Sequence, residues 1–294
     1  MADNTKTAAN KYNGDSFAGT KKRIAKTLLY IFLILLAALC FMPFLLMLVN
    51  STRSGNEIMT SFSLLPGKSL SSNWKVVTEN MNLGRGFLNS LLLAVLNTVL
   101  SSYFSSLTAY GLAYYKFPGS KTIFTVMLVF MMIPAQLSML GFYNLVNQIG
   151  LIDTYWPLFL PSIASPATVF FLRQYILSVM PKAILEAPRI DGASDLMIFH
   201  RIVLPIMSPG IATMAIGSFI GSWNNYLIPM LLINTPKKRP LPVMVAELSA
   251  VRDITTNLGA TYLVVAISAL PIMIAFCFFS RYIISGISVG SVKE

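Results

Sequence analysis

Four side chains of acid and base type, Glu186, Asp191, Asp195 and His200, fall in one short segment, EAPRIDGASDLMIFHRIVLPIMSP, from Glu186 to Pro209. Acid and base groups so close together raise the question of an active site. Their surroundings oppose it: the spacing matches no nucleophile–base framework, and HExxH, CxxC and P-loop spacings are absent from the chain. His200, next to Arg201, reads as a solvated boundary residue. Cys40 and Cys277 each sit alone in an apolar run, without the spacing of a metal or redox pair. The residues therefore predict no catalytic site, no metal site and no cofactor bound by this chain.

The elements that carry this segment are read from hydropathy. Of 294 residues 55% are hydrophobic and only 11% charged, and the mean hydropathy is +0.68; soluble domains carry about one quarter charged residues. Six apolar runs, 28–49, 88–112, 123–140, 154–172, 210–233 and 260–279, approach or exceed the roughly 20 residues needed to cross hydrocarbon. An all-α membrane protein of six transmembrane helices follows. The basic KKRIAK cluster before the first run is no signal peptide, because the run continues through FMPFLLMLV. The net charge of +11, which in a soluble chain would suggest nucleic acid, fits loops at an anionic lipid surface.

An even number of spans puts both termini on one side. Fourteen of the 22 Lys and Arg residues then fall on the terminal side, which predicts cytoplasmic termini, with TPKKRP after the fifth span as the contrary feature. The domain reading is a disordered basic N-terminus over 1–26, a six-span domain over 27–290 and a short cytoplasmic tail over 291–294. The segment 183–209 then lies in the cytoplasm. A helix starting near Ala183, or restarting at Pro188, would let Leu185, Ile190 and Ala193 pack, and Gly192 permits a sharp redirection. Ser194 can cap a second piece in which Leu196, Phe199 and Ile202 form an apolar stripe, before Pro205 and Pro209 return the chain to the membrane. Such a helix pair suits a peg for a partner's cleft; an interfacial pair lying on lipid headgroups is the other reading.

The spacing of Glu186, Ala187, Gly192, Ile202, Leu204 and Pro205 resembles the EAA signature of the membrane subunits of bacterial ABC importers. The fuller IDGAS at 190–194, with Asp191, Ala193 and Phe199, is similar to the carbohydrate-uptake branch, of the MalG-like kind. Asn89-Ser90, TAYGLAYYKFPG, MIPAQ, FFLRQY, SWNNYLIP and GSVKE extend the likeness over most of the chain. Pro188 departs from it, standing where the family has a second alanine. The resemblance implies a type I importer permease of MetI-like architecture in the bacterial inner membrane, paired with a second homologous permease. An external sugar-binding protein would deliver the ligand, and two cytoplasmic ATPase subunits, which hold ATP and Mg, would dock on the EAA segments. Coupling would then fall to Glu186, Ala187, Asp191, Gly192, Ala193, Leu196, Phe199, Ile202, Leu204 and Pro205.

A sugar path needs hydrogen-bonding groups and ring faces. Asn89, Asn97, Ser101, Ser105, Tyr110, Gln136, Trp223, Asn224, Asn225 and Tyr226 are candidates, against the alternative that small and amide residues serve helix packing. The same architecture could import glycerol phosphate or a polyamine. The scarcity of cationic residues inside the spans opposes a phosphate ligand.

Overall fold

The computed structural model describes residues 4–250 and 254–291, with side-chain environments for 22–250 except 135, and for 257–278. Every regular element in the described residues is helical. In chain order they are α1 (Asn4–Asn50), α2 (Gly55–Thr60), α3 (Leu70–Asn80), α4 (Leu83–Tyr114), α5 (Ser120–Met131), α6 (Met139–Gln148), α7 (Trp156–Phe159), α8 (Pro166–Val179), α9 (Ala183–Ile190), α10 (Asp195–Ile198), α11 (Leu204–Trp223), α12 (Leu227–Leu232), α13 (Leu241–Ala250) and α14 (Ile254–Ser291). The expected disorder of residues 1–26 falls mainly on positions whose side chains are not described, and 292–294 of the tail lie outside the described residues.

Four helices are long and apolar enough to cross a bilayer: Lys22–Asn50, Leu83–Tyr114, Asp195–Trp223 and Asn257–Phe278. Two bent pairs, Ser120–Met131 with Gln136–Gln148 at 91° and Trp156–Val179 with Ala183–Ile190 at 84°, bring the count to six if each is one span. Three expected runs are corrected. The third breaks at Pro134, whose ring cannot donate to the helix ladder and biases the preceding residue away from α. The fourth begins as short turns around Pro157 and Pro161 and becomes regular only at Pro166, then turns into α9. The fifth starts before Gly210 and stops at Trp223, with α12 as a separate piece.

α4 is the central post, packed on α8 and α11, and α11 in turn packs on α14. Its buried face carries Gly86, Ser90, Ala94, Ser101, Ser105 and Ala109 at near-helical spacing. Small residues suit this role, because in lipid helices associate by close packing rather than by hydrophobic expulsion. At Gly210 on α11 an added Cβ would lie 2.7 Å from the Tyr175 ring of α8, so that crossing requires glycine. In contrast, every residue of α1 from Lys22 to Leu45 is exposed. A helix apolar all round with no protein cover faces lipid or another subunit.

Two apolar clusters lie at different levels of this bundle. One joins Ala109 and Tyr110 of α4, Leu172 and Ile176 of α8, Leu185 of α9, and Ile198, Phe199, Val203 and Met207 of the helix entering α11. The other joins Val77, Ala94, Trp223, Leu241, Leu248, Ala260 and Val264.

Candidate functional site

α9 runs through Pro188 without restarting there. Its end is set by Gly192, whose φ of 79° is left-handed and free for glycine alone among ordinary residues. Ala193 N–H then donates to the Pro188 carbonyl (2.9 Å), closing the turn. Ser194 Oγ accepts from Met197 N–H at 3.3 Å, and Asp195 stands in the first turn of the next helix, where its charge complements the helix dipole.

From Asp195 the chain is one continuous helix to Trp223, so the second docking piece and the fifth span are a single rod. Residues Phe199–Val203 form a π turn, in which Leu204 N–H reaches back to the Phe199 carbonyl. The widened turn precedes Pro205, which has no N–H for the Arg201 carbonyl and would crowd it in a regular helix. Pro205 and Pro209 therefore lie within the rod and do not mark an entry point.

The expected apolar stripe is divided. Phe199 is fully buried against Tyr103 and Tyr110, Ile202 and Leu204 are half-buried, and Leu196 and Met197 are 60% and 45% exposed. Leu185 packs as expected and Ala193 partly does, whereas Ile190 is 85% exposed. Glu186, Ala187, Asp191, Gly192 and Pro205 are also exposed. What stands free is a cap of Ile190, Leu196 and Met197 rimmed by acidic groups. Its two helices are tied together by Arg189, which lies 3.4 Å from Asp195 and 5.0 Å from the centroid of the Tyr115 ring.

His200 is better anchored than a solvated residue would be. Its Nδ1 lies 2.7 Å from the Leu196 carbonyl, an acceptor only, so Nδ1 carries a proton. In the neutral ring Nε2 then accepts from the Tyr103 hydroxyl at 3.1 Å.

The candidate path residues separate into distinct places. Asn97, Ser101 and Asn225 meet in a groove of about 220 Å³ with Leu158, Ser162, Ser165, Ser218, Gly221 and Ser222. Trp223, Asn224 and Tyr226 line another of about 220 Å³ with Pro242, Val245, Ala246 and Ser268. The Trp223 ring itself is 1% exposed and donates Nε1–H to the Ser268 carbonyl (3.0 Å), so it holds α11 to α14. Tyr110 belongs to the apolar cluster, its hydroxyl 3.2 Å from that of Tyr115. Gln136 is exposed in the 3₁₀ turn after the break of the third span. Ser105 is buried within the bundle, its Oγ without a partner among the described residues. Asn89 binds a loop: its Nδ2 donates to the Lys237 and Arg239 carbonyls at 3.1 and 3.0 Å. A larger concavity, about 910 Å³, has a mostly apolar lining that includes Trp74, Met81, Leu83 and Phe87, and none of the candidate path residues reaches it.

Sequence reasoning missed what organises the TPKKRP run. Asp153, at φ 60°, accepts from Asn234 N–H (3.0 Å), Thr235 N–H (2.9 Å), Thr235 Oγ1–H (2.6 Å) and Lys238 Nζ (3.0 Å). The Thr235 bonds, then Lys238, hold its carboxyl well below the usual carboxylate range. Arg239 pairs with Glu247 at 2.6 Å. The contrary basic run is thus a clamped loop; only the left-handed turn chemistry of GLIDT hinted at its partner.

Among the described residues no cluster of His, Cys, Asp or Glu could hold a metal, while Cys40 and Cys277 both lie on exposed faces. The chain is similar in fold to a bacterial ABC transporter involved in the import of the acidic polysaccharide alginate, with a TM-score of 0.76 over 88% of this chain and 96% of that one at 22% identity. It is 35% identical over 275 residues, 92% of this chain and 96% of the relative, to the arabinooligosaccharides transport system permease protein AraQ of Bacillus subtilis. It is 31% identical over 263 residues, 89% and 87% of the two chains, to the diacetylchitobiose uptake system permease protein NgcG of Streptomyces coelicolor. Residues 101–289, which hold the bent spans, the rod and the segment around Gly192, match the model of the binding-protein-dependent transport system inner membrane component. The bundle of apolar helices, its free cap and these likenesses agree, and the chain belongs to that family of membrane transport components.

Proposed function

We propose that this chain is one permease subunit of an ATP-driven sugar importer, with both termini cytoplasmic, and that the 183–209 segment is the peg on which an ATPase subunit docks. The observation that carries the reading is the exposed cap of Ile190, Leu196 and Met197 on a helix that continues as a span to Trp223. Force applied at such a cap moves a membrane-length rod, because packed helices shift as rigid bodies. Glu186, Asp191 and Gly192 shape the peg, and ATP and Mg belong to the partner. A second permease would cover the exposed face of α1 and complete the path. The sugar assignment draws on the relatives, whose names specify arabino-oligosaccharides and diacetylchitobiose.

The test is ATP hydrolysis by the reconstituted complex with and without sugar-loaded binding protein. Gly192→Val forces a β-branched residue into a left-handed turn, and Glu186→Lys reverses a charge on α9. Both variants are expected to reach the membrane and lose stimulated hydrolysis. Normal stimulation in both would leave the segment as an interfacial loop.

A further inference from the structure

The groove between α4, the broken start of the fourth span and α11 is lined by hydroxyls and amides, and no ionised side chain is among its lining residues. Three cations on segments packed against α4 are engaged with other partners. Arg173 lies 4.3 Å from the centroid of the Phe124 ring and donates to the Leu112 carbonyl. Lys238 is bound to Asp153 and Arg239 to Glu247. Asn97 adds direction: its two Nδ2 hydrogens are shared among the Leu93 and Leu158 carbonyls and Ser222 Oγ, at 2.9, 3.2 and 2.9 Å, which leaves no donor free. What Asn97 still offers a ligand is therefore Oδ1, an acceptor that requires a donor.

We propose that this groove is a selectivity element for uncharged, hydroxyl-rich chains and discriminates against saccharides bearing carboxylates. A sugar hydroxyl can donate to Asn97 Oδ1 and exchange its water for serine hydroxyls. A uronate carboxylate can accept from the serine hydroxyls and from Asn225 Nδ2, but Asn97 Oδ1 repels it and no cation in the lining offsets the hydration lost by its full charge. The inference rests on the importer reading above and adds a charge rule to it. The fold neighbour that imports acidic alginate shares the scaffold, so the rule resides in side chains of this groove and not in the architecture.

The test uses the whole reconstituted complex, in which this chain carries Cys40→Ala, Cys277→Ala and Ser162→Cys. Maleimide labelling of the groove cysteine is timed with arabinotriose, with trigalacturonate and without sugar, while uptake of both sugars is measured in parallel. The expected result is that arabinotriose slows labelling severalfold and trigalacturonate does not, until Ser218→Arg is added and trigalacturonate protects as well. Equal protection by trigalacturonate without Ser218→Arg overturns the charge rule, as does uptake of arabinotriose with no protection at all. A complex that hydrolyses ATP yet takes up neither sugar overturns the sugar reading itself, and the rule with it.

Discussion

Both ends of the bundle have an apolar core, and they differ in what is added to it. Around Phe199 the contacts are apolar and aromatic, with Leu172, Ile176, Leu185, Ile198 and Val203 closing on Ala109 and Tyr110. Around Asp153 and Asn89 they are polar and long-range, side chains reaching loop carbonyls and amides across 81 to 150 positions of sequence. The connection after α1 follows the second pattern: buried Asn73 Nδ2 donates to the Ser51 and Arg53 carbonyls at 2.8 and 2.9 Å. Gly259 of α14 presses so closely on the Arg53 carbonyl that a side chain there has no room. Close-packed apolar contact is stiff and resists deformation in every direction. Hydrogen-bonded latches instead fix one arrangement and can be exchanged for another. On the proposed docking role, the end beneath the free cap would transmit displacement, and the opposite end would hold a position.

That contrast can be broken most strongly at Phe199. Phe199→Ala would empty a fully buried site and is expected to cost about 3–5 kcal/mol, as for other large-to-small core changes. The measurement is the thermal unfolding midpoint of the purified complex; a loss below about 1 kcal/mol would mean that the cluster yields like a latch.

Asp153→Asn sharpens the other side, with a smaller effect because this carboxylate is solvent-accessible. Its folded-state pKa is lowered, chiefly by the Thr235 bonds. Its contribution is thus complete above the ordinary Asp value of about 4 and lost as pH falls through the lower folded value. Wild type and Asp153→Asn should differ most at neutral pH and converge on acidification below about pH 4. Parallel melting curves that keep a constant gap down to strong acid would remove the charge from the explanation. The smallest effect is expected at Lys75, whose 3.9 Å pair with Glu79 is exposed on both sides. Lys75→Ala should change stability by less than about 0.5 kcal/mol in the same assay, and a larger loss would show that surface charge contributes to this end.

Hydropathy made the spans legible because lipid selects apolar side chains, and it could not show backbone direction for the same reason. Met132 and Ile133 are as apolar as their neighbours, so the third run reads through a 91° break. The apolar residues of α12 likewise extend the fifth run past the helix end at Trp223. The 183–209 segment was readable from Gly192, Ser194 and the prolines, whose preferences are local. Whether Phe199 or Leu196 faced outward was not, because one π turn re-phases the stripe. Amides were the least legible: Asn89 and Asn97 look alike in sequence, and what each holds follows from partners far along the chain.

The π turn at Phe199–Val203 has an evolutionary consequence. Such a turn accommodates one more residue than the regular helix would over the same stretch. A one-residue deletion there could be absorbed with Ile198 and Met207 still in phase with their neighbours, provided the residue at 205 were no longer proline. Within that short window the number of residues in the rod can change by a single codon while both of its ends stay in phase with their neighbours.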